Sequence, residues 1–86
     1  MVTREDVVGR LKGYLYHRLG LEELVDWAEE AMREEEFEQG HLEELRDVIS
    51  HLGLADVRAF GLTWRDCEEM LERLGYRVNI EISQAR

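Results

Sequence analysis

Three histidines, one cysteine and twenty carboxylates are the residues of this 86-residue chain that could do chemistry. Histidine serves as a general base or metal ligand, a thiolate as a nucleophile, and paired carboxylates as acid and base. Spacing decides which of these roles is open. His17 and His41 have no ligand partners at zinc spacing, and the lone Cys67 excludes both an internal disulfide and a cysteine pair. Cys67 also shares an apolar stripe with Met70 and Leu71, the setting of a buried structural thiol. Ser50, Thr3 and Thr63 form no triad. The acids are so numerous that their spacing says nothing about acid–base catalysis, and they do not follow a calcium-loop pattern. No catalytic residue, metal site or cofactor is therefore expected.

One pair is spaced for phosphate chemistry. Arg46-Asp47-Val48-Ile49-Ser50-His51 places four residues between an arginine and a histidine, and in this it resembles HEPN-type ribonucleases. That resemblance implies that Arg46 and His51 would contact the phosphate and assist in-line cleavage. It covers six residues of 86. On a regular helix the two side chains point about 140° apart, and the acidic segment around them would repel RNA. Without an enzyme, Arg46 pairs with nearby acids and His51 sits favourably at a helix C-terminus.

The charge map is the most distinctive feature of the chain. Net charge is −9, which opposes nucleic acid because phosphate binding needs a basic surface. Residues 22 to 47 hold twelve acids, from Glu22 to Asp47, against two bases, Arg33 and Arg46, so this segment alone carries −10. The other sixty residues sum to +1. Such a band is either a solvated face that keeps a small protein soluble or a docking surface for a basic protein. On the docking reading, Glu29, Glu30, Glu34, Glu35 and Glu36 steer the encounter, while Trp27 or Phe37 anchors it. Bacterial immunity proteins and antitoxins are similar in size, charge and expected helix count, an analogy of class without a shared motif.

The elements that must hold these residues follow from periodicity. Thr3 and Thr63 each precede an aspartate by three residues, the grammar of a capping box, with Val2 and Val7, then Leu62 and Cys67, as flanking staples. Helices are predicted over about 4–18, 21–35, 41–52 and 64–74, with glycine stops at Gly20, Gly53 and Gly75. The inward stripes are Val7, Val8, Leu11, Tyr14, Leu15 and Leu19, then Leu21, Leu24, Val25, Ala28, Ala31 and Met32. Leu42, Leu45, Val48, Ile49 and Leu52 follow, and Trp64, Cys67, Met70, Leu71 and Leu74 complete the set. Phe37 is the only apolar residue of the acidic connection between the second and third helices and should anchor it.

The tail changes period. Tyr76, Val78, Ile80 and Ile82 alternate with Arg77, Asn79 and Glu81, a strand signal over about 76–82. A lone strand needs a partner for its backbone. Three are open: the Val57–Phe60 piece, the same strand of a second copy, or the sheet edge of another protein. Pairing with a second copy would make Val78, Ile80 and Ile82 the self-association residues. Gly9, Gly13 and Tyr16 form a further flat lane on the first helix.

The expectation is thus mainly α: one domain over 1–86, a small bundle of about four helices with a short C-terminal β-strand. An N-terminus without signal-peptide regions and the lack of a long apolar run point to a cytoplasmic protein with no membrane partner. Ten arginines against one lysine hint at a heat-adapted or GC-rich bacterial source. A basic protein partner is the leading functional expectation, and self-association without an electrostatic partner is the second.

Overall fold

The computed structural model describes residues 1–34, 36–57 and 61–84. Four helices follow in order: α1 (Arg4–Leu15), α2 (Leu21–Ala31), α3 (Leu42–Gly53) and α4 (Trp64–Arg73). The mainly helical class is as the periodicity predicts. Helix α2 packs chiefly on α3, with a lesser contact to α1. No described helix is long and apolar enough to cross a membrane.

Both capping boxes form. The Thr3 hydroxyl accepts from the Asp6 amide at 3.1 Å and the Asp6 carboxylate accepts from the Thr3 amide at 2.9 Å. Thr63 and Asp66 repeat this pair at the start of α4. Each box satisfies two amides that a helix terminus would otherwise leave open.

The helix ends differ from expectation for identifiable reasons. Helix α1 stops at Leu15 rather than near residue 18, because His17 takes a left-handed backbone with φ of 61°. The Gly13 carbonyl then accepts from the Arg18 amide at 2.8 Å, and the Tyr14 carbonyl from the His17 amide at 3.1 Å. This is a Schellman close with histidine where glycine is usual. Helix α4 closes the same way on Gly75, whose φ is 92°. Helix α2 ends at Ala31, four residues early, and two short-range turns carry the chain to Glu34. Its last turn holds no base, and the glutamates that follow meet the negative end of the helix dipole. Gly53 does not stop α3 by a left-handed turn. It is the last helical residue, and Leu54 lies exposed as the cap instead of making the expected Schellman contact.

The core unites all four helices. Val7, Leu11, Leu24, Val25, Leu45, Ile49, Leu52, Cys67 and Leu74 are fully buried, each large aliphatic side chain contributing roughly 1.5–3 kcal/mol. Ala28 and Ala31 are also buried, and such small residues let helix backbones approach closely. Three residues placed inward by the stripes are exposed instead: Met32, Leu42 and Trp64. Met32 falls beyond the shortened end of α2, and Leu42 and Trp64 each open a helix, where the first turn projects past the core.

The N-terminus takes part in the packing through a contact that the sequence pattern does not show. The Val2 amide donates to the Glu36 carbonyl at 3.0 Å, and the Glu38 amide donates to the Val2 carbonyl at 2.8 Å. These bonds form a single parallel bridge between Val2 and Phe37. Val2 is buried by it, and Phe37 packs half-buried on the core.

Residues 76–84 form no strand among the described residues. Tyr76 and Val78 pack against the core, whereas Ile80 and Ile82 are exposed, Ile82 at 93%. The radius of gyration is 13.3 Å, against about 12 Å for a compact chain of this length. Of the expected internal partner, residues 58–60 lie outside the described residues, and Val57 is exposed.

Candidate functional site: an acidic band and an apolar groove

The acidic segment folds into an exposed band. Glu22, Glu23, Asp26, Glu29 and Glu30 line the outer side of α2, Glu34 and Glu36 follow in the connection, and Glu43 begins α3. All eight are exposed, and among the described residues none lies within ion-pair distance of a cation. Glu35, expected to belong to the band, lies outside the described residues.

Two acids of the segment are already engaged, and a third lies near a histidine. Asp47 pairs with Arg73 of α4. Glu44 Oε2 lies 3.9 Å from His41 Nδ1, beyond hydrogen-bond distance, and has no hydrogen-bond partner among the described residues. Glu38 ties three elements together: its carboxylate accepts from the Arg4 amide at 2.9 Å and from Arg4 Nε at 3.2 Å. Arg4 Nη1 in turn donates to the Leu74 carbonyl at 3.3 Å. The Arg4 amide, then its guanidinium, holds the Glu38 carboxyl below the usual glutamate range. Glu38 is thus a clamp at the start of α1, a role that its place in an acidic run conceals.

The two expected aromatic anchors are occupied within the chain. Trp27 packs half-buried on the core, with the Arg10 guanidinium 5.5 Å from its ring centre. Phe37 has the same setting under Arg46 at 5.9 Å. Cation–π stacking of this kind covers the outer face of a ring. Among the described residues, the aromatic rings that face solvent are Tyr16, at 63%, and Trp64, at 47%.

Tyr16 and Trp64 border an open groove of about 660 Å³ between α1, α4 and the tail. Val8, Leu15, Leu71 and Tyr76 line its floor and sides, and Lys12, Arg77 and Glu81 stand at its rim. It shares no residue with the acidic band. Val78 and Ile80, expected to mediate self-association, form part of its wall, and Ile82 projects beyond it.

The residues singled out for chemistry do not come together. Arg46 stacks on Phe37, whereas His51 lines a small depression with Asp47, Asp66, Glu69 and Arg73 that excludes Arg46. The carboxylates around His51 oppose phosphate. Burial is the first cause pushing the Cys67 thiol up to about 11, with the neighbouring Asp66 charge as the second. That shift runs against thiolate formation, the opposite of an activated nucleophile. Among the described residues, no three His, Cys, Asp or Glu side chains converge on a common point as metal ligands.

No protein-family model, curated protein or solved structure matches the chain.

Proposed function

We propose that this domain is a small acidic interaction module that docks a basic protein surface through the outer side of α2 and the connection that follows it. One observation supports the reading above all: eight carboxylates from Glu22 to Glu43 are exposed and lack a cation partner among the described residues. Charges this dense repel one another, and the two bases of the segment, Arg33 and Arg46, form no ion pair among the described residues. A band left unneutralised in this way raises the encounter rate with a basic partner and disfavours acidic ones. Glu29, Glu30, Glu34 and Glu36 carry the steering. The masking of a basic nuclease by an immunity protein or antitoxin is the class of interaction that fits, with no activity assigned to Arg46 or His51.

The test is affinity capture from the source cell's lysate, with wild type beside the variant Glu29→Gln, Glu30→Gln, Glu34→Gln, Glu36→Gln. The reading predicts one basic protein held by wild type at low salt, released at high salt and not held by the variant. Equal recovery of the same proteins by both chains would overturn it.

A further inference from the structure

We infer that a second copy of this chain covers the apolar groove, the two tails pairing as antiparallel strands about a two-fold axis at Asn79. The tail has the chemistry for it. Residues 77 to 84 make no backbone hydrogen bond to other backbone among the described residues, so a full edge is open to a partner. Tyr76 and Val78 lie on the core while Ile80 and Ile82 extend beyond it, exposed at 58% and 93%. Ile80 and Ile82 continue the alternating apolar face of Tyr76 and Val78, and nothing in the described residues covers Ile82.

The sequence of the tail selects the second copy as occupant and fixes the register. In an antiparallel pair, directly opposed residues share a face, so apolar must oppose apolar. Only axes through a residue meet that condition. An axis at Arg77 or Glu81 would oppose like charges, which is destabilising. An axis at Val78 sets Arg77 against Asn79 and Glu81 against Gly75, and one at Ile80 sets Arg77 against Ser83 and Glu81 against Asn79. The axis at Asn79 alone opposes Arg77 to Glu81, and symmetry makes that pair twice. It also sets Val78 against Ile80 and Tyr76 against Ile82. Each overhanging isoleucine then lies beside the partner's core-packed Tyr76 and Val78, over the groove bordered by Tyr16 and Trp64. The dimer carries two acidic bands, one from each copy, because the groove shares no residue with either.

Sedimentation equilibrium over a wide concentration range, on the full chain, tests this with three variants: Arg77→Glu, Glu81→Arg and the double exchange. Both side chains are exposed, so the fold should survive, which circular dichroism checks. The expected result is a wild-type dimer, either single reversal weakening it on the order of tenfold or more, and the double exchange restoring it. A wild type that stays monomeric overturns the inference and leaves the groove to a foreign segment. A dimer indifferent to the single reversals, or not restored by the double exchange, overturns the register and with it the proposal. Neither Arg77 nor Glu81 belongs to the acidic band, so this outcome is independent of the docking reading.

Discussion

Replacing His17 with glycine should stabilise the domain slightly, and replacing Gly75 with alanine should destabilise it by somewhat more. Both residues occupy the left-handed position of a Schellman close, His17 at φ of 61° and Gly75 at φ of 92°. A side chain with a Cβ costs about 1–2 kcal/mol in that backbone region, and histidine, which visits it more often than most residues, belongs at the low end. Glycine removes that strain but loses about 0.5–1 kcal/mol through the freedom of the unfolded chain. The net gain for His17→Gly is therefore about 0–0.5 kcal/mol. Small domains gain roughly 4–8 °C per kcal/mol, so Tm should rise by up to about 4 °C. Gly75→Ala reverses the sign. Its new Cβ would meet Arg4 Nη1 at 3.5 Å, an ordinary contact, so the loss comes from backbone strain alone. Thermal melts followed by circular dichroism measure both. A lower Tm for His17→Gly, or no loss for Gly75→Ala, would refute the argument from helix closure.

Three further outcomes are expected. Gly9 lies inside α1 with nothing within 4 Å of a new Cβ, so Gly9→Ala should raise stability by about 0.5–1 kcal/mol; a destabilised variant would mean that the lane is filled. The Glu38 carboxyl is held below its ordinary range by the Arg4 amide and guanidinium. Its contribution is therefore complete above the unfolded glutamate pKa of about 4.3 and is lost as pH falls through the folded value. The Tm gap between wild type and Glu38→Gln should accordingly close on acidification, and a gap that stays constant with pH would remove the clamp from the account. Cys67, buried and with its thiol raised to about 11, should resist thiol reagents in the folded protein and react on unfolding in urea; prompt labelling under native conditions would contradict its place in the core.

The sequence carried the helix starts more clearly than the helix ends. Thr3 and Thr63 are legible as caps because a hydroxyl and an aspartate three residues apart can do little else before an apolar stripe. The left-handed turn at His17 leaves no such mark, since only the backbone geometry of residues 13 to 18 distinguishes it from another helical turn. The bridge of Val2 to Phe37 is non-local, and local patterning is blind to it. Val2 reads as a staple and Phe37 as a loop anchor, and nothing in either neighbourhood announces that they meet. Likewise the acidic band is visible as charge, but which acids are free is not. Glu38 is indistinguishable from Glu36 in the sequence, yet only Glu38 is clamped by Arg4. The groove was hidden for the opposite reason: Trp64 reads as core by period, and its position at the first turn of α4 exposes it. A helical wheel assigns faces, whereas burial also depends on how far along its axis each helix stays covered.

The docking account rests on where charge is placed rather than on how much the chain carries. The most direct measurement compares partner retention by two variants with equal loss of charge. One is Glu29→Gln, Glu30→Gln, Glu34→Gln, Glu36→Gln, and the other is Glu5→Gln, Glu68→Gln, Glu69→Gln, Glu72→Gln, outside the band on α1 and α4. The account predicts that the first loses the basic partner and the second retains it with wild-type salt dependence. Equal loss in both would reduce the band to bulk charge, and retention by both would contradict docking through α2 and its connection.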